Sequence, residues 1–409
     1  MPARRLLAAT IAFTLFSGCV IARVRRNNQD LASVAHLRGT LNGGSSEAKP
    51  RWAVLYKLID GRWTRYMQLV LQKPGPFDFV CFSGRYLLFA FEDQNGDRVW
   101  QAGEPAARFG SKEGIQVLEG EPLEAVDLTL GTMLEPLGFD VELASGEEGL
   151  TDELVKIHGG DLAALTEERF SPESAELGLW QPADFARKWG VGVSFLEPYS
   201  PGKIPILFVH GAGGTPRDFE QLIDGLDHTR FQAWVVSYPS GIRLALASLM
   251  VRQIVDDLQQ QLGFGKLYVV AHSMGGLVAR DFVMQVVQQS QPVYVALLVT
   301  MSTPWGGVAL AKSGVERSPV VLPSWIDVAA GSAFLAVLTE KPFPPSIPYY
   351  LFFGFEGGNG TDGTIALKSQ LEPKTQRAAK QVFGFPDDHT AILRSGAVSE
   401  KLNHILEAP

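Results

Sequence analysis

The sequence predicts a mostly parallel α/β sheet with helices on both faces, preceded by a small all-β sandwich. Three observations carry that expectation. From Lys203 onward, apolar strands alternate with helical periodicity, the pattern of a sheet buried on both sides. Between Leu31 and Val141, short runs rich in aromatic and branched residues are separated by Gly, Pro, Asn and Asp turns. Within the second region, "KLYVVAHSMGGLVARDF" reads as an apolar strand, a tight turn of small residues and a helix.

The β-sandwich is expected over residues 31–145, with strands in "RWAVLYKL", "RYMQLVLQ", "FDFVCFS" and "RYLLFAFED". A linker over 146–200, rich in Gly, Pro, Trp and acidic residues, leads into an α/β domain over 201–409. A chain of 409 residues, 46% hydrophobic and 20% charged, is long enough for two packed units. The net charge of −8 comes from interspersed acids and bases, so no nucleic-acid partner is expected.

At the N-terminus Arg4 and Arg5 precede an apolar run from Leu6 to Phe16, which closes on Ser17, Gly18 and Cys19. This is the layout of a bacterial export signal, and the run is too short to span a bilayer. The cleavage region resembles the lipobox of bacterial lipoproteins, which implies a signal over 1–19, lipidation of Cys19 and contact with a membrane surface through that anchor. Val20 stands where an Asp would favour inner-membrane retention, so the resemblance points to the outer membrane; simple secretion is the alternative. Cys81 is the one other cysteine, and a lipidated Cys19 leaves it without a disulfide partner, as a small buried hydrophobe.

The loop "EDQNGDRVWQAGE" sets Asp93, Asn95, Asp97 and Glu104 at the first, third, fifth and twelfth positions of a calcium loop. Gly96 and Arg98 depart from the EF-hand pattern, and strands flank the loop. Calcium ligation and a metal-free Asn-Gly turn both remain as readings.

The chemistry lies in the second region. In "AHSMGG", Ser273 follows a strand and precedes a helix, and small residues two positions to either side permit the strained turn that lifts a nucleophilic Oγ clear of the backbone. "KIPILFVHGAGGTPRDF" gives a strand from Ile204 to Val209 and a glycine-rich loop. Together with "MSTPWGG" after the strand Tyr294 to Thr300, these motifs resemble bacterial lipases and esterases of the α/β-hydrolase fold, and also lipase-like hydrolases that remove lipid anchors. The resemblance covers roughly residues 195–409.

What the resemblance implies can be set on residues. The residue after His210-Gly211 donates its N–H to the oxyanion, which maps to Ala212, partnered by Met274. His210 itself reads as a prop for the loop. The order nucleophile, acid, base leaves His389 and His404 as candidate bases. His404 sits in the amphipathic helix "SEKLNHILE", whereas His389 sits in the loop "FPDDHTAIL" and is preferred. The acid follows the strand Tyr349 to Phe355, where Asp362-Gly363 resembles the acid turn of lipases, with Glu356, Asp387 and Asp388 as rivals. Residues 308–348 are expected to form an apolar lid over an acyl pocket, or else a buried packing helix.

The activity implied is hydrolysis of carboxylic esters or lipids through Ser273, His389 and Asp362 by way of an acyl-enzyme, with no cofactor. An acyltransferase using the same residues is the alternative. A surface lipoprotein acting mainly as a binding module through its β-domain is the second.

Overall fold

The computed structural model describes residues 18–45, 49–132, 137, 139, 141, 143, 150–151, 156–290 and 293–407. Residues 1–17, which carry most of the expected signal, lie outside the described residues. Cys19 falls in the first turn of helix α1 (Gly18–Ala32).

Eight strands follow: β1 (Ala35–Gly43), β2 (Arg51–Ile59), β3 (Arg62–Leu71), β4 (Gly75–Cys81), β5 (Gly84–Glu92), β6 (Ala106–Phe109), β7 (Ile115–Val117) and β8 (Leu128–Leu130). They build two sheets, one ordered β4-β1-β8 and the other β3-β2-β5-β6 with β7 paired to β5. Leu37, Leu55, Phe79, Tyr86 and Leu88 fill the space between the sheets. Trp52, Val54, Phe89 and Phe91 point to the opposite face, where Val141 and Leu143 cover them. That second cover explains why β2 and β5 read as near-continuous apolar runs and not as alternating ones. Cys81 is buried and forms no disulfide among the described residues.

The stretch 146–200, expected as a linker, is largely structured and joins the second unit. It contains β9 (Leu150–Thr151), β10 (Lys156–Leu162), α2 (Pro172–Trp180), α3 (Pro182–Lys188) and β11 (Val191–Phe195). β11 pairs antiparallel to a later strand and buries Val191, Val193 and Phe195, so its contacts, and not its composition, decide its state. Gly192 hides the strand in the sequence. It is needed because a Cβ there would lie 2.0 Å from the His158 ring.

The remaining elements are β12 (Ile204–Val209), α4 (Glu220–Asp224), β13 (Phe231–Ser237), α5 (Leu244–Leu262), β14 (Leu267–His272), α6 (Met274–Gln289), β15 (Val295–Met301), α7 (Ala309–Arg317), α8 (Pro323–Val328), α9 (Ala333–Glu340), β16 (Tyr349–Gly354), α10 (Leu367–Gln370), α11 (Pro373–Ala378), β17 (Gln381–Phe385) and α12 (Gly396–Glu407). The sheet runs β17-β16-β15-β14-β12-β13-β11-β10-β9. From β17 to β13 every neighbouring pair is parallel. One face packs on α5 and α6 through Val251, Val255, Leu277 and Phe282. The other packs on α4 and α12 through Leu222, Ile223, Leu402 and Ile405. The expected α/β-hydrolase fold behind an all-β unit is therefore present.

The two units meet along α5. Asp257 of that helix accepts from Arg98 Nη2 and from Gln68 Nε2, each at 3.1 Å. Gln253 Nε2 donates to the carbonyl of Asp78 at 3.0 Å. A small apolar cavity of about 50 Å³ lies at this junction, lined by Leu31, Met67, Val80, Ile242 and Met250 among others.

Candidate active site

Strand β14 delivers Ser273 to a turn and α6 begins at the next residue. Ser273 has φ 54° and ψ −132°, a conformation that side-chain-bearing residues rarely adopt. The turn closes only because its neighbours are small. A Cβ on Gly275 would lie 2.4 Å from the Val209 carbonyl oxygen and 2.3 Å from that of His210, and one on Gly211 would lie 2.7 Å from Ser273 Cβ. Ala271 fits in place of a first glycine because it lies within β14, fully buried.

His389 Nε2 lies 2.8 Å from Ser273 Oγ, and His389 Nδ1 lies 2.7 Å from Asp362 Oδ2. Asp362 Oδ1 accepts from the N–H groups of Thr364 (3.0 Å) and Ile365 (2.6 Å). Burial opposes ionisation of Asp362. The bond and charge of His389 and the two backbone donors outweigh it, and the carboxyl sits below its ordinary range. With an ionised carboxylate at Nδ1, that nitrogen carries the proton and Nε2 is free to accept from Ser273. The backbone of the same loop is pinned as well, because His389 N–H donates to the Asp362 carbonyl at 2.8 Å.

The rival acids lie in other roles. Asp388 Oδ1 accepts from Thr390 N–H and Ala391 N–H and starts a 3-10 turn over Ala391–Arg394. Neither Glu356 nor Asp387 bonds to His389, and His404 is exposed on α12. His210 is buried and stacks on Tyr238 with ring centroids 4.4 Å apart, while Tyr238 Oη donates to the His210 carbonyl at 2.7 Å. Burial lowers the His210 pKa to about 4, so it stays neutral. The loop that follows is fixed by Gly213 N–H donating to Ser240 Oγ at 2.9 Å. Ala212 and Met274 flank Ser273, and neither of their N–H groups has a partner among the described residues.

Two residues that the sequence reading left aside belong here. His272 Nε2 lies 2.7 Å from the His389 carbonyl oxygen, and burial together with the His389 charge lowers its pKa to about 3. Ser240 holds the glycine-rich loop. No spacing rule marks either of them, since each meets its partner only through the fold.

Ser273 and His389 open onto a groove of about 610 Å³. Its walls come from 211–224 and 389–394, with no residue of 308–348. The segment packs elsewhere: Val328, Ala329, Leu335 and Leu338 enter the core beside α5 and α6, and Arg243 and the N–H of Leu244 bind Asp327. Leu310, Ile326 and Val337 of the same segment are exposed.

The loop with the calcium-like spacing is tied by its own side chains. Asp93 accepts from Gly96 N–H and Arg98 N–H, and Glu104 accepts from Gln94 N–H and Gln101 N–H. Asn95 and Asp97 bond each other at 2.8 Å. The side chains close the turn themselves, and among the described residues no group of three or more His, Cys, Asp or Glu side chains is gathered as for a metal.

The second unit has the α/β-hydrolase fold. Residues 206–388 match the model of the alpha/beta hydrolase family. Over 80 residues the chain is 34% identical to lysosomal phospholipase A and acyltransferase from Homo sapiens, and likewise to that from Canis lupus familiaris. The match covers 18% of this chain and 19% of those proteins. Among solved structures, the lipase BlEst2 of Bacillus licheniformis is 19% identical over 52% of this chain and 97% of its own, with a TM-score of 0.41. Lipase B of Aspergillus fumigatus is 14% identical over 53% and 55%, with a TM-score of 0.42.

Proposed function

We propose that this chain is a serine hydrolase of carboxylic esters in which Ser273 is the nucleophile, His389 the general base and acid, and Asp362 the group that fixes the His389 tautomer. The observation that carries the proposal is the continuous hydrogen-bonded path from Ser273 Oγ through both ring nitrogens of His389 to Asp362 Oδ2. His389 Nε2 takes the Ser273 proton as Oγ attacks the ester carbonyl. The N–H groups of Ala212 and Met274 receive the oxyanion, with the N-terminus of α6 adding its dipole. His389 then gives the proton to the leaving alcohol, and water releases the acyl group by the same steps. The residues need no cofactor for this chemistry.

The experiment is turnover of p-nitrophenyl esters of short, medium and long acyl chains beside Ser273→Ala, with fluorophosphonate labelling of Ser273. Absence of both turnover and labelling in the folded protein overturns the reading. A second reading is acyl transfer to an alcohol, favoured by the name of the matched mammalian proteins. It requires product that depends on added acceptor. Lipidation of Cys19 and residence at the outer membrane complete the proposal, supported by the apolar run Leu6 to Phe16 and the small residues before Cys19. Mass spectrometry of the mature N-terminus tests it.

A further inference from the structure

The groove in front of Ser273 carries charged groups beside apolar surface. Among the described lining residues, Leu393 alone is larger than alanine and carries no polar atom, and the stems of the polar side chains supply much of the remaining apolar surface. Five charged residues share the lining: Arg217, Asp218, Glu220, Asp224 and Arg394. Two of them are committed to the fold. Arg217 Nε donates to the Leu165 carbonyl at 2.9 Å, and Asp218 Oδ2 accepts from Thr215 N–H at 2.9 Å.

The other three are uncommitted. Glu220 and Asp224 stand one turn apart on α4, and Arg394 ends the 3-10 turn that follows His389. All three are exposed, and none has a hydrogen-bond or ion-pair partner among the described residues. The charge of Arg394 reaches Asp218 and Asp388, but both carboxylates already accept backbone N–H groups. A guanidinium and two carboxylates thus face one solvent-filled groove whose floor is the nucleophile.

We infer that the ester taken by Ser273 carries a dipolar group, with its anion seated by Arg394 and its cation by Glu220 and Asp224. This rests on the serine-hydrolase reading above. An ester with an anion alone would gain from the arginines and be opposed by the three carboxylates of the lining. A neutral long-chain ester would leave all three charges unused. A dipolar group satisfies both signs, and charge-assisted bonds are the stronger kind of polar contact.

The test compares kcat/KM for three soluble esters: p-nitrophenyl butyrate, which is neutral; butyrylcholine, a cation; and dihexanoylphosphatidylcholine, which is dipolar. Arg394→Gln is expected to lower turnover of the phosphatidylcholine about fivefold to tenfold more than that of p-nitrophenyl butyrate. The pair Glu220→Gln and Asp224→Asn is expected to lower both choline esters by a similar margin relative to the neutral one, and raised salt should narrow these differences. Equal effects of each substitution on all three esters, or no effect, overturn the inference while leaving the hydrolase reading intact. Failure of the unaltered protein on every ester, with no labelling of Ser273, would instead remove the reading on which the inference rests.

Discussion

His272 Nε2 and the backbone carbonyl oxygen of His389 lie 2.7 Å apart across a sequence separation of 117 residues. The residue immediately before the nucleophile therefore holds the loop that carries the base. The ring of His272 is neutral, so Nε2 bears the proton and donates to that carbonyl, with the two imidazole centroids 4.8 Å apart. His272→Ala removes the tie without touching Ser273, Asp362 or the oxyanion donors. A fall in kcat of about tenfold with a small change in KM is expected, and His272→Asn, which keeps a donor, should recover part of it. Equal loss in both variants, accompanied by a lower melting temperature, would mark His272 as packing only.

Asp362 can be separated from its neighbours by isosteric change. In Asp362→Asn the amide no longer holds the proton on His389 Nδ1, and kcat should fall by about three orders of magnitude or more with the fold kept. Asp388→Asn touches only the cap of the 3-10 turn and should change kcat by less than about threefold. Steady-state kinetics and circular dichroism on both variants check the assignment, and a larger effect at Asp388 would reverse it.

Gly275 should tolerate no side chain. Its Cβ, fixed directly to the backbone, would lie 2.3 Å from the His210 carbonyl oxygen, a backbone atom, so neither can yield alone. Gly275→Ala must push the start of α6 away from the oxyanion loop. A loss of activity of about a hundredfold or more, with loss of several degrees in melting temperature, is expected.

Acid should destabilise the protein through its buried histidines. His210 and His272 titrate near 4 and 3 in the folded chain, and near 6.5 in an unfolded one. The unfolded state therefore binds more protons below about pH 6.5. Stability is full above that pH and falls as pH drops toward 4, by roughly 3 kcal/mol for His210. The depressed pKa of Asp362 acts in the same direction at lower pH still, since its stabilisation is present above the ordinary carboxylate range and lost below it. Melting temperature measured from pH 8 to pH 4 should show this slope, and His210→Gln should flatten it.

Asp257 makes part of the contact between the two units. Asp257→Ala removes the hydrogen bonds it accepts from Arg98 and Gln68 at a partly buried junction, which should cost about 1 to 3 kcal/mol in urea unfolding while sparing kcat. A decrease in kcat of the same proportion as in the active-site variants would show instead that the β-unit shapes the groove.

Some of this was legible in the sequence for local reasons. Strands β12 and β14 are buried on both faces, so they read as unbroken apolar runs. The turn at Ser273 demands small neighbours, and the neighbours are consecutive. Asp362 and His389 could be named because the fold orders its functional loops along the chain. The rest was decided by contacts between distant segments. β11 is five residues long and contains a glycine that makes room for His158, so only its pairing with β13 makes it a strand. Residues 308–348 are apolar whether they cover a groove or enter a core, and composition alone has no means of telling the two burials apart. The carboxylates of the 93–104 loop have the spacing of metal ligands and the same capacity to accept backbone N–H groups. The tie from His272 to the His389 loop, and the three uncommitted charges before Ser273, exist only once the chain has folded, because each joins residues whose separation in sequence carries no periodic signal.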